Sequence, residues 1–99
     1  MEFRHAIALD PKYVANYIEL AAALYHQHKT DDAIAELHRA IELDPKNASA
    51  HDDLGLVLSS QGKTDDAVAE YRRAIEILPD YKKAHEHLDK ALQAQSAAK

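Results

Sequence analysis

Pro11, Pro45 and Pro79 stand 34 residues apart, and the text around them repeats at the same interval. Leu9-Asp10-Pro11-Lys12 returns as Leu43-Asp44-Pro45-Lys46, and Lys29-Thr30-Asp31-Asp32-Ala33 returns as Lys63-Thr64-Asp65-Asp66-Ala67. A fixed period of this length describes a chain assembled from copies of one small unit, each too small to close a core alone. Such copies stack, and each covers the apolar face of its neighbour.

Between the prolines, apolar residues recur three and four apart. Tyr17, Leu20, Ala21 and Leu24 form one stripe, and Ala33, Ile34, Leu37, Ala40 and Ile41 the next. The second copy gives Leu54, Gly55 and Leu58, then Ala67, Val68, Tyr71, Ala74 and Ile75. This is the period of an amphipathic helix, and alternation at period two is absent. The spacing predicts helices near 14–27, 31–43, 48–61, 65–77 and 82–95. The punctuation agrees. Thr30 and Thr64 are expected to cap helices through their hydroxyls, with Asp31-Asp32 and Asp65-Asp66 in the favourable first turn. Gly62 suits a left-handed helix end, whereas His28 stands at the matching place and predicts a strained or differently shaped turn. Pro45 and Pro79 stop helices, and Asn47 and Asp80 are expected to open the next ones. Short connections make neighbouring helices antiparallel.

Composition narrows the function classes. Of 99 residues, 46% are hydrophobic and only two are Gly, so the chain can pack and favours helix. A net charge of −5 leaves no basic footprint for nucleic acid. The absence of Cys excludes disulfides, thiolate metal sites and thiol catalysis. No stretch approaches the ~20 apolar residues of a membrane span, and the N-terminal residues do not read as a signal peptide. The lack of Cys leaves the compartment open; with neither a signal peptide nor a membrane span in this chain, a cytoplasmic location and no membrane partner are expected.

The repeated unit resembles the tetratricopeptide repeat. That family has a bulky residue, Leu-Gly and an aromatic in its first helix, then Ala, an aromatic, Ala and a closing Pro. One copy reads Tyr17, Leu20, Ala21, Leu24, Ala33, Leu37, Ala40, Pro45, and the next reads His51, Leu54, Gly55, Leu58, Ala67, Tyr71, Ala74, Pro79. The resemblance implies an all-α solenoid of antiparallel helix hairpins with a right-handed superhelical rise. Its parts would be a partial repeat at 1–13, repeats at 14–47 and 48–81, and a capping helix with a frayed tail at 82–99. Small residues at 21, 33, 40, 55, 67 and 74 would sit where helix axes approach, and Leu20, Leu54, Leu37 and Tyr71 would fill the holes around them. Phe3, Ala6 and Ile7 have the spacing of a second helix whose partner is missing. That fragment docks on the first full unit, or it is cut from a longer array, or its open edge pairs with another copy.

The resemblance further implies a protein-interaction module that binds a peptide or helix on the inner faces of its first helices. The expected surface is Ile18, Glu19, Ala22, Tyr25 and His26 on one helix, Ser49, Asp52, Asp53 and Leu56 on the next, and Lys83 and His87 on the cap. Members that grip a C-terminal carboxylate use Lys, Asn and Arg there, and only Lys83 fits. Members with an asparagine ladder are not matched either, since Glu19, Asp53 and His87 occupy those places. Exposed Asp52 and Asp53 beside apolar anchors suit a basic or amphipathic segment. Self-assembly, or service as the non-catalytic segment of a larger enzyme, is the alternative.

No pattern of catalysis, cofactor binding or metal binding emerges. His26/His28 and His85/His87 are two apart, which turns their side chains about 200° from each other on a helix. A zinc pair needs a spacing of three or four. Ser59-Ser60 and Asp52-Asp53 lack the context of an activated nucleophile or an acid–base pair.

Overall fold

The computed structural model describes residues 11–97. Phe3, Ala6 and Ile7, the expected half unit, lie outside them. The described residues form five helices and no strand: α1 (Pro11–His26), α2 (Thr30–Leu43), α3 (Ala48–Ser60), α4 (Thr64–Ile77) and α5 (Lys82–Ala97). The chain divides into two compact units between Lys46 and Asn47. The first holds the α1–α2 hairpin. The second holds the α3–α4 hairpin, with α5 packed mainly on α4 and also on α3.

Helix ends follow local chemistry, with four departures from expectation. Pro11 opens α1 instead of preceding it; proline suits a first helical position, whose N–H has no intrahelical partner. Thr30 and Thr64 do not cap. Lys29 and Lys63 occupy the boundary without a side-chain cap, and their carbonyls accept from Ala33 and Ala67 N–H at 3.0 Å each. Asp80 does not open α5 either, since the Tyr81 carbonyl takes the N–H groups of Ala84 and His85. Asn47 behaves as expected: its Oδ1 accepts from Ala50 N–H at 3.0 Å. The last helix also continues through Ala97, two residues beyond the end expected near 95.

The two intra-hairpin turns have the same backbone. His28 adopts φ 66° and Gly62 φ 80°. Lys29 N–H reaches back to the Leu24 carbonyl at 2.8 Å, and Lys63 N–H to the Leu58 carbonyl at 3.0 Å. Both close the helix end through a left-handed residue. The turn at His28 is therefore not differently shaped, and a Cβ-bearing residue is held in left-handed geometry.

Core residues fall largely where the period places them. In the first unit Val14, Ala21, Ala33, Leu37 and Ala40 are buried. In the second, Ala67, Val68, Tyr71 and Ala91 cluster with Leu58 and Leu88, and Ala48, Ala74 and Ala84 cluster with Ile75, Ile77 and Tyr81. Gly55 has a steric reason. A Cβ there would lie 2.7 Å from Tyr71 Cδ1 and 3.0 Å from Cζ, with Cε1 closer still. Leu54 is buried, but Leu20, its counterpart, is 47% exposed, so the expected core role of Leu20 is corrected. The α1–α2 hairpin does not itself cover that side of α1.

Candidate functional site

Two faces carry the side chains singled out by the sequence. On the first unit, Glu19, Ala22 and His26 are exposed along α1, with Ile18 and Tyr25 half-buried among them. The Tyr25 and His26 rings lie 5.8 Å apart, tilted by 58°. These positions share one side of α1 because they are spaced by three and four.

On the second unit, the period of α3 brings Ser49, Asp52, Asp53 and Leu56 onto one side. The i, i+4 spacing of Lys83 and His87 does the same on α5. Asp52 corrects the sequence reading: it is 1% exposed, not a groove-lining charge. Both of its oxygens accept from His87 Nδ1, at 2.9 and 3.1 Å. A carboxylate only accepts, so the ring proton sits on Nδ1 and Nε2 lies at the far edge of the imidazole. The His87 side chain is 22% exposed, and its ring also meets Tyr71 at 5.6 Å. His87 thus compensates a buried charge that would otherwise be costly.

Asp53, the next residue, is half-buried and does not share that relief. Burial first, and the neighbouring Asp52 second, push its pKa up from 3.8 to about 6, against the pull of Lys83 and His87. A side-chain hydrogen bond links Tyr81 to Ser49. Burial pushes the Tyr81 phenol pKa up, the Ser49 bond opposes this, and Asp52 and Asp53 add to it. Leu56, one turn beyond Asp53, is 36% exposed. The assembled face is an apolar side chain beside a poorly solvated carboxyl, bordered by an ammonium and an oriented imidazole.

Sequence reasoning missed both the anchoring role of His87 and the link from Tyr81 to Ser49. His87 is 35 residues from Asp52 and lies on another helix, so no local spacing announces the pair. A second histidine–carboxylate pair was equally hidden: buried His51 shares a 2.8 Å bond between Nδ1 and Glu70 Oε1, tying α3 to α4. Among the described residues, no three His, Cys, Asp or Glu side chains are grouped to hold a metal ion. No helix among them is long and apolar enough to cross a membrane.

The sequence profile of the tetratricopeptide repeat matches residues 18–82, and the chain belongs to that family. No curated protein matches the sequence. Two crystal structures of MamA are similar, each at 31% identity, with TM-scores of 0.79 and 0.81. The matches cover 84% and 91% of this chain but 45% and 53% of the MamA chains, so this chain spans about half their length. The first tetratricopeptide-repeat domain of Spaghetti (RPAP3), solved with the HSP90 peptide SRMEEVD, is similar in fold. Its TM-score is 0.80 at 24% identity, over 88% of this chain and 69% of that one. The all-α helical repeat and a family role in protein–protein interaction follow.

Proposed function

We propose that this chain is a non-catalytic interaction module that docks a short basic or amphipathic peptide on the inner faces of its repeats. Each unit offers a surface of its own: Asp53, Leu56, Ser49, Lys83 and His87 on the second, and Ile18, Glu19, Ala22, Tyr25 and His26 on the first. Asp52 acts from beneath by fixing His87. The observation that carries the reading is Asp53, a half-buried carboxyl that folding holds in an unfavourable environment. Groups so perturbed concentrate at functional sites, and a cationic partner would relieve this one.

The fold accommodates peptides in the RPAP3 domain, where the bound sequence SRMEEVD is acidic. The surface here offers Glu19 and Asp53 instead and suits the opposite charge. A face of this size supports ~μM affinity. The test is titration of the isotopically labelled chain with a capped leucine–arginine peptide. Shifts are expected across 18–26, 49–56 and 83–87, and Asp53→Lys should weaken them at least tenfold. Unperturbed resonances along those segments would remove the surface from consideration.

A second reading, self-association, is favoured by Tyr13 and Leu20, which are 39% and 47% exposed on α1. Light scattering over a concentration series tests it. A dimer that Leu20→Glu dissociates supports it, and a monomer throughout disposes of it.

A further inference from the structure

His87 is held more firmly than a surface histidine needs to be. Its Nδ1 lies 2.9 and 3.1 Å from the two oxygens of Asp52, a carboxylate buried within the second unit. Behind the imidazole stands the Tyr71 ring, 5.6 Å away and tilted by 36°. The ring of His87 is thus fixed from α3 and from α4 at once. In a neutral imidazole the two nitrogens have opposite roles, so a proton kept on Nδ1 leaves the Nε2 lone pair bare. Among the described residues no group hydrogen-bonds that nitrogen, and it is not shut away from solvent. His51 is anchored in a similar way by Glu70, but its side chain is 5% exposed, so that pair ties α3 to α4 and reaches no surface. Burying a carboxylate lowers stability even when it is paired. What the Asp52–His87 pair secures is the tautomer and the aim of one half-exposed ring. Carboxylates aim metal-binding histidines in this manner, but among the described residues no three ligating side chains are grouped. The ring therefore serves as a hydrogen-bond acceptor.

We propose that His87 is the specificity element of the second-unit face: Asp52, a positioning residue, locks the Nδ1–H tautomer, and Nε2 accepts an N–H from an arginine side chain of the docked peptide. The inference rests on the docking reading above and adds what the ring selects. A guanidinium has donors alone, in a planar fork that can give one N–H to Nε2 while the others stay solvated. A carboxylate has acceptors alone and would bring lone pair against lone pair. The tautomer therefore rejects acidic segments by hydrogen-bond polarity, in addition to any effect of charge.

The experiment uses the full chain with nitrogen-15 in its histidine rings, at neutral pH, and a capped leucine–arginine peptide. In the free protein the His87 ring should carry its proton on Nδ1 and none on Nε2. At saturating peptide the Nε2 resonance should move upfield, as a nitrogen accepting a hydrogen bond does, and Nδ1 should keep its proton. A capped leucine–glutamate peptide should not move it, and an equal move overturns the inference. Two variants of equal charge then isolate the nitrogen: Asp52→Asn, which keeps the imidazole, and Asp52→Asn combined with His87→Phe, which removes it. If the ring of the single variant stays protonated on Nδ1, that protein should bind the arginine peptide about fivefold tighter than the double variant, the effect of one hydrogen bond. If the proton moves to Nε2, the advantage should vanish. The opposite pairing overturns the inference. Should neither variant fold, the Nε2 response of the parent protein decides alone. A free ring protonated on Nε2 or on both nitrogens also overturns it. So does an Nε2 resonance that stays put while backbone shifts across 49–56 and 83–87 report binding. Either result leaves the docking reading standing, whereas absence of any backbone shift overturns both.

Discussion

Replacing Gly55 by alanine tests whether the second unit is built around one tight fit. Alanine in a helix interior is favoured over glycine by about 1 kcal/mol, so propensity alone predicts a stabilised protein. The structure predicts the reverse. The added Cβ would sit within 3 Å of three atoms of the Tyr71 ring. That ring is enclosed by Ala67, Val68 and Ala91 and backed by the His87 imidazole, so it has nowhere to yield. Overpacking costs about 1–3 kcal/mol, and an immobile ring puts this site in the upper part, ~2–3 kcal/mol, leaving a net loss of ~1–2 kcal/mol and a fall in Tm of roughly 4–16 °C for a domain of this size. The first unit supplies the control, because Ala21 there is matched by Leu37 where the second unit has Tyr71. Tyr71→Leu alone should cost ~1–3 kcal/mol through lost volume. Combined with Gly55→Ala it should cost less than the sum, with a coupling of at least ~1 kcal/mol. Urea unfolding followed by circular dichroism measures all three variants. A Gly55→Ala protein as stable as the parent, or strict additivity in the double variant, would refute the steric argument.

Four further outcomes are expected. His28→Gly should stabilise the first unit by up to about 1 kcal/mol, whereas Gly62→Ala should cost about 1 kcal/mol although no atom lies within 4 Å of the new Cβ; paired thermal melts check both. Leu54→Ala should cost ~2–5 kcal/mol and Leu20→Ala under ~1 kcal/mol, as their burial dictates, by urea unfolding. His87→Ala should cost about 3 kcal/mol by leaving Asp52 buried without its partner, and Asp52→Asn in the same background should recover part of the loss. Asp53 favours the folded state most below about pH 4, and this contribution is lost as pH climbs through about 6. Asp53→Asn should therefore stabilise the protein at pH 7 by ~1 kcal/mol, after allowance for partial exposure, and the gain should vanish at pH 4. Unfolding curves at both pH values check the sign.

Periodicity made the helices legible, because a 3.6-residue apolar stripe has one structural meaning whatever surrounds it. Ala33, Leu37 and Ala40, or Ala67, Tyr71 and Ala74, could be placed in the interior from spacing alone. Leu20 could not be separated from Leu54 by sequence, since the two occupy the same place in the repeat and differ in what covers them. Thr30 and Thr64 misled because a threonine before an acidic turn fits both a cap and a first helical residue, and backbone geometry decided between them. Asp52 was misread for a deeper reason. An aspartate in an amphipathic stripe reads as solvated unless its partner is known, and that partner lies on a different helix. Asp53, beside it, was legible as a surface carboxyl but not as a strained one.

His51 and Asp52 are consecutive, yet each clasps a different neighbour: the first reaches Glu70 on α4 and the second His87 on α5. Successive positions on a helix diverge by about 100°, so one step along α3 suffices to serve two directions. The helix is thereby keyed like a shaft with two teeth. Any slip in its angular register, such as a single-residue deletion near its start, would disengage both teeth in one motion.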